Sequence, residues 1–192
     1  MSDLLFIRHA ETDMAGTFCG HSDPPINATG HRQIHELVAA FSSQPIAEVY
    51  SSDRQRAITT ARALADSLGV PCTQRDALRE IDFGDLESLT WQQIETRDPS
   101  YAKRWIDAFP SLPAPNGERM DHFEARVLNE IAYLLRQSES HSDKKSIAVV
   151  THAGVMRTIL HRLCRLDGEE IWKRTKPYCC TFRYHCAKGV RR

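Results

Sequence analysis

Two apolar runs, each ending on a histidine, constrain this chain more than any other feature. In "LLFIRHAET", residues 4–12, four large apolar side chains are followed at once by Arg8 and His9. In "IAVVTHAGV", residues 147–155, a second run ends on His152 before small residues that can open a helix. A short run that is apolar at every position, not at alternate ones, reads as a strand buried on both faces. Such strands need helices on both sides of their sheet.

The rest of the chain supplies them. "NATGHRQIHELVAAF" places Ile34, Leu37, Val38 and Phe41 on one helical face, with Asn27 or Thr29 as its cap. "IAEVYSS" reads as a strand and "DRQRAITTARALADSLG" as the helix after it, with Asp53 as N-cap and Gly69 as its stop. Strand, crossover helix and strand together indicate parallel pairing. "ERMDHFEARVLNEIAYLLRQ" puts Phe123, Val127, Leu128, Ile131, Leu134 and Leu135 on one face, and "SESHSDKKS" reads as the loop before the strand of His152. A short helix at "EEIWKR" and a strand at "CCTFRYH" close the chain. The expected fold is α/β: a three-layer α/β/α sandwich with a mostly parallel sheet and helices on both faces. At 192 residues the chain suits one domain spanning 1–192. Residues 71–118 are rich in proline and hold short helices around "WQQIE" and "YAKRWIDAF"; they read as an irregular helical insertion over the sheet edge, with Trp91 and Trp105 as packing residues.

Lys and Arg number 25, as do Asp and Glu, so no net basic charge draws the chain to nucleic acid or a membrane surface. No apolar stretch approaches the roughly 20 residues of a membrane span. The first residues lack the cationic start and cleavage site of a signal peptide. The six cysteines show no C-x-x-C and no framework spacing, which fits reduced thiols in a cytoplasmic protein. Cys179, Cys180, His185 and Cys186 cluster in sequence, but neighbours on a strand alternate faces and do not converge on one metal ion. His31 and His35, one helical turn apart, read as an exposed face.

In parallel sheets, ligands bind where strands end and helix N-termini present their amides. His9 and His152 stand at two such ends, and "YSSDRQRA" brings Ser51, Ser52, Arg54 and Arg56 to a third. Arginines in the first turn of a helix oppose its dipole, a local conflict that hints at function. Two histidines and several arginines in one crevice form a cationic site whose natural guest is phosphate. "LREIDFGDLE" offers Glu80, Asp82, Asp85 and Glu87, from which a carboxyl group could protonate a leaving alkoxide.

Taken together, these segments resemble the histidine phosphatase superfamily, which includes the cofactor-dependent phosphoglycerate mutases. "RHAET" matches the opening Arg-His-Gly-Glu signature at Arg8, His9 and Glu11, with Ala10 in place of glycine. "GHSDPPINATGHRQ", "SSDRQRAITTA", "LREIDFGDLE" and "VVTHAGVMR" follow in register. The resemblance implies a phosphoglycerate mutase-like fold and a two-step phosphoryl transfer with no cofactor or metal. His9 would be the nucleophile and Glu80 the acid and base, while Arg8, Arg56 and His152 would hold the phosphoryl oxygens. Ala15 stands where the family often has a phosphate-contacting asparagine, and Ala10 requires a negative φ at a tight strand exit.

"CGHSDPPIN", "REIDFGDLESLTWQQIE" and "PNGERMDHFEARV" look most like the α-ribazole phosphatase branch, which acts in the cobalamin pathway. The partner implied is a small-molecule phosphate ester; a homodimer is left open. Two other readings stand beside the phosphatase: a mutase that returns the phosphoryl group to a second hydroxyl, and a phosphate-binding module without catalysis. Intact His9 and Glu80 argue against the module. Gly117 and Glu118 read either as a pocket border or as the start of a helix, in whose first turn Glu118 would be favourable.

Overall fold

The computed structural model describes residues 2–108, 110–140 and 145–186. Five strands form one sheet in the order β3-β2-β4-β1-β5. They are β1 (Ser2–Arg8), β2 (Ile46–Ser51), β3 (Cys72–Gln74), β4 (Ser146–Thr151) and β5 (Thr181–Cys186). β1 pairs with β4, β4 with β2 and β2 with β3 in parallel; β5 alone runs antiparallel, along the free edge of β1.

Successive residues of the central strands face opposite layers, which accounts for their unbroken apolar runs. Leu4, Phe6, Ile147 and Val149 pack against α5 (Met120–Ser140) and α6 (Ala153–Arg162) through Phe123, Val127, Ile131, Val155 and Met156. Leu5, Ile7, Ala148 and Val150 pack against α1 (Ala28–Phe41) and α2 (Gln55–Leu68) through Leu37, Ala57, Ala61 and Leu64. The fold is thus the expected three-layer α/β/α sandwich with a mostly parallel sheet. Among the described residues, no helix is long and apolar enough to cross a membrane.

Local signals decide most helix ends. The Asn27 side chain caps α1 by accepting the Gly30 N–H at 2.8 Å. Gly69 closes α2 at φ 64°, a left-handed turn that glycine takes without steric cost. Asp53 is not the N-cap of α2. That position falls to Arg54, which makes no side-chain cap bond, because the Asp53 carboxylate is held in a two-point pair with Arg79, Nε to Oδ1 being 2.7 Å. The helix α5 runs on to Ser140, into the stretch read as a loop; residues 141–144 of that loop lie outside the described residues. Its buried face includes Glu130 and Ser138, while Leu128 and Leu135 are only partly covered.

The stretch 71–118 contributes the edge strand β3 as well as α3 (Trp91–Arg97) and α4 (Pro99–Ala108). These two helices share a small apolar cluster in which Trp105 packs with Tyr101, Leu86, Ile94 and partly buried Trp91. Phe18 joins the cluster, with ring centroids 5.0 Å from Phe83 and 5.3 Å from Trp105. The Phe18 backbone also exchanges hydrogen bonds with Ser88 and Leu89. The loop after β1 is thereby held above the strand ends.

Candidate active site

The register of the two central strands builds the site. Arg8 lies opposite Thr151, so the chains leave the sheet side by side and His9 N–H donates to the Thr151 carbonyl at 2.9 Å. The imidazoles of His9 and His152 then meet with centroids 5.1 Å apart at 60°. Both are buried, His9 at 7% exposure and His152 at 0%. Nδ1 of His9 is 2.7 Å from the Ala10 carbonyl, which can only accept, so Nδ1 carries the proton and Nε2 the lone pair. Arg56 Nε donates to that Nε2 at 3.3 Å. Ala10 lies outside the left-handed region and its N–H is held by Thr60 Oγ1 at 3.1 Å, so the chain accepts a methyl group at this exit.

Both histidines are held neutral. Burial, then the charges of Arg56 and Arg8, push the His9 pKa well below its ordinary value, and these outweigh the hydrogen bond to Ala10. Burial, Arg56, His9, Arg8 and Arg54 do the same for His152. Neither ring nitrogen of His152 has a hydrogen-bond partner within the protein, nor do Arg8 Nε and Arg54 Nε, all four atoms being buried. Buried polar atoms are seldom left unpaired, and the donors among these four, Arg8 Nε, Arg54 Nε and the single N–H of neutral His152, suit an anion.

Arg56 is wholly buried and caged by the loop after β1. Its Nη atoms donate to the carbonyls of Ser22 at 2.5 Å, Gly20 at 2.8 Å and Cys19 at 3.2 Å. The cage is in turn pinned by Glu87, whose carboxylate accepts the N–H groups of Gly20, His21, Ser22 and Phe83 at 2.8–3.1 Å. Burial pushes the Glu87 pKa up, but the hydrogen bonds from Ser22, His21 and Phe83 win and hold it below the usual carboxylate range. Arg8 is anchored differently: Nη1 donates to the Thr175 carbonyl at 3.0 Å and to that of Lys176, at the C-terminal end of α7 (Gly168–Thr175). Tyr178 lies across it, with Arg8 Cζ 4.0 Å from the ring centroid.

Glu80 reaches the same region from the turn after β3. It is 7% exposed and its Oε2 accepts the Gly154 N–H at 2.8 Å, in the first turn of α6, immediately beyond His152. A carboxylate at a helix N-terminus is well placed electrostatically. Arg8, His9, Arg56, Glu80 and His152 therefore gather around one crevice at the strand ends.

The other candidates have structural occupations. Asp82 faces His21 at 3.3 Å, Asp85 bonds the Asn116 side chain, and His185 lies 3.4 Å from Asp3. Glu118 precedes α5 and pairs with Arg126, with Nε to Oε1 at 2.9 Å. Ala15 and the two helix histidines, His31 and His35, are exposed. Sequence reasoning missed Glu87, which it left among a run of acids, and Tyr178, which no motif marks.

The chain matches the histidine phosphatase superfamily (branch 1) over residues 4–192. It is 28% identical over 171 residues to the adenosylcobalamin/α-ribazole phosphatase of Salmonella typhimurium, a span covering 88% of this chain and 83% of that protein. It is 32% identical over 167 residues to phosphoglycerate mutase-like protein 4 of Arabidopsis thaliana, covering 84% and 70%. Among solved structures, the α-ribazole phosphatase from Shigella flexneri superposes with a TM-score of 0.84 at 26% identity, over 97% of this chain and 91% of that one. A sheet of this order, two neutral histidines at adjacent strand ends and a match along nearly the whole sequence lead to one conclusion: the chain belongs to the histidine phosphatase superfamily.

Proposed function

We propose that this protein is a phosphomonoester phosphatase that acts through a phosphohistidine on His9 and needs no metal. The observation that carries the reading is the state of His9: a buried, neutral imidazole with its proton on Nδ1, beside a second neutral imidazole 5.1 Å away. In the first step Nε2 attacks phosphorus and the bond to the ester oxygen breaks. Glu80 gives a proton to the departing alkoxide. Water then attacks the phosphohistidine, Glu80 takes up the proton, and the phosphorus–nitrogen bond breaks to release phosphate. Arg8, Arg56 and His152 stabilise the charge on the transferring group, the larger part of catalysis in phosphoryl transfer. Arg56 would shift its Nε bond from His9 to a phosphoryl oxygen as the ester enters, freeing the lone pair.

For the substrate we put α-ribazole 5′-phosphate first. The support is the resemblance of the segments around the pocket and the names carried by the Salmonella and Shigella relatives. The similarity to the Arabidopsis mutase-like protein favours a second reading, transfer of the phosphoryl group to another hydroxyl.

A phosphate-release screen with α-ribazole 5′-phosphate, nucleotides, sugar phosphates and 3-phosphoglycerate, with and without a bisphosphate primer, separates these readings. Acid-labile, base-stable label trapped from a radioactive ester should appear in the wild type and vanish in His9→Ala along with turnover. Turnover that survives His9→Ala, or that a chelator abolishes in the wild type, would overturn the mechanism.

A further inference from the structure

The segment after α7 is tied to the nucleophile's strand end at several points. The Cys180 carbonyl accepts the Arg8 N–H at 3.0 Å, and Cys179 N–H donates to the His9 carbonyl at 3.4 Å. On the other side of Tyr178, the carbonyls of Thr175 and Lys176 hold Arg8 Nη1 at the negative end of α7. Tyr178 is therefore bracketed by contacts to the two residues it covers. Its ring lies 4.0 Å from Arg8 Cζ and 5.6 Å from the His9 ring centroid.

The backbone is bent to put it there. Cys179 has φ 53°, a left-handed conformation that residues with a Cβ adopt at a cost. Glycine is the usual occupant of such a turn. The bonds on both sides over-determine the bend, and its outcome is a half-buried aromatic face on the guanidinium of Arg8. That stacking is a favourable cation–π contact, and it restricts a side chain that otherwise has many rotamers. With Nη1 held by carbonyls and the plane held by the ring, Nε is left as a buried donor with no protein partner.

We propose that Tyr178 is a positioning residue: its ring clamps Arg8 so that Nε is presented to the phosphoryl oxygens, and phosphate affinity depends on the ring by way of Arg8. This rests on the phosphate-binding role proposed above for Arg8. A ring that merely fills space would affect folding without touching the Arg8 contribution.

The test is calorimetric binding of inorganic phosphate to the wild type, Tyr178→Phe, Tyr178→Leu, Arg8→Gln and the Arg8→Gln/Tyr178→Leu double variant, with thermal unfolding of each. Misaiming one charge-assisted hydrogen bond is expected to weaken binding about tenfold in Tyr178→Leu. Tyr178→Phe, which keeps the ring, should bind within about twofold of the wild type, and the double variant no more weakly than Arg8→Gln alone. The proposal is overturned if Tyr178→Leu binds like the wild type, if Tyr178→Phe loses as much as Tyr178→Leu, or if the two losses simply add. Should Tyr178→Leu not fold, Tyr178→Met carries the same comparisons. A wild type that binds phosphate but hydrolyses no ester removes the proposed activity and leaves the role of Tyr178 standing; one that binds none overturns both.

Discussion

Gly154 and Glu80 approach so closely that one methyl group would part them: the Gly154 N–H donates to Oε2 at 2.8 Å, and a Cβ on Gly154 would lie 2.1 Å from Oε1. Gly154→Ala should therefore displace the carboxylate while leaving the sheet untouched. Activity on esters with poor leaving groups should fall about tenfold or more, and activity on 4-nitrophenyl phosphate should fall much less. Glu80→Gln should give the same pattern, more strongly. Equal losses on both kinds of ester, measured as kcat/KM, would remove Glu80 from proton transfer.

Stability should depend on pH through the two buried histidines. Their folded pKa values lie well below 6.5, burial being the largest cause for each. Above an unfolded value of about 6.5 both states are neutral and the full stability is present. As pH falls below that, the unfolded chain takes up protons that the native site refuses, and stability declines by up to about 1.4 kcal/mol per pH unit for each histidine until the folded pKa is passed. Urea unfolding between pH 7.5 and pH 5 should show this slope, and His152→Gln should reduce it by roughly half. A flat profile would mean that the rings take up protons as readily in the native state as in the unfolded chain. The acid limb of kcat/KM should likewise fall below the ordinary histidine value.

Glu87 supports Arg56 through the loop after β1. Glu87→Ala strips the acceptor from the amides of Gly20, His21, Ser22 and Phe83 and loosens the carbonyls that hold Arg56. A loss of about 2–4 kcal/mol is expected on chemical unfolding, together with weaker phosphate binding. Full retention of phosphate affinity in a destabilised variant would show that the cage does not orient Arg56.

Arg56→Lys keeps the charge and loses the fork. One ammonium cannot serve His9 Nε2 and the carbonyls of Cys19, Gly20 and Ser22 at once. A drop of about a hundredfold in kcat/KM is expected from steady-state kinetics, since an electrostatic donor at the transferring group is misplaced. A variant within about threefold of the wild type would show that charge alone suffices at this position.

The sandwich and most of its helices were legible because their signals are local. Apolar runs mark β1 and β4, Asn27 marks a cap, and Gly69 marks a stop. The crevice was legible because strand ends in parallel sheets carry ligands, and because motifs in register carried a family resemblance. What escaped is set by tertiary partners. The strand β3 has three residues, one half-buried and two exposed, with no alternation long enough to read. Glu130 sits on the buried face of α5 only because Arg75 reaches it, with Nε to Oε1 at 2.7 Å. Asp53 looks like a cap until Arg79 claims it. Tyr178 acquires its place from a left-handed turn at a cysteine, where sequence offers no glycine as a cue.

The pairing of β1 with β4, and the anchoring of Arg8 by the stretch just before β5, bear on biosynthesis. A nascent chain that has emerged as far as α5 owns His9 and Glu80, the proposed nucleophile and acid, but has neither His152 nor the clamp on Arg8. Hydrolysis should therefore switch on only after β4 and the stretch before β5 have left the ribosome and docked on β1, tying turnover to closure of these long-range contacts.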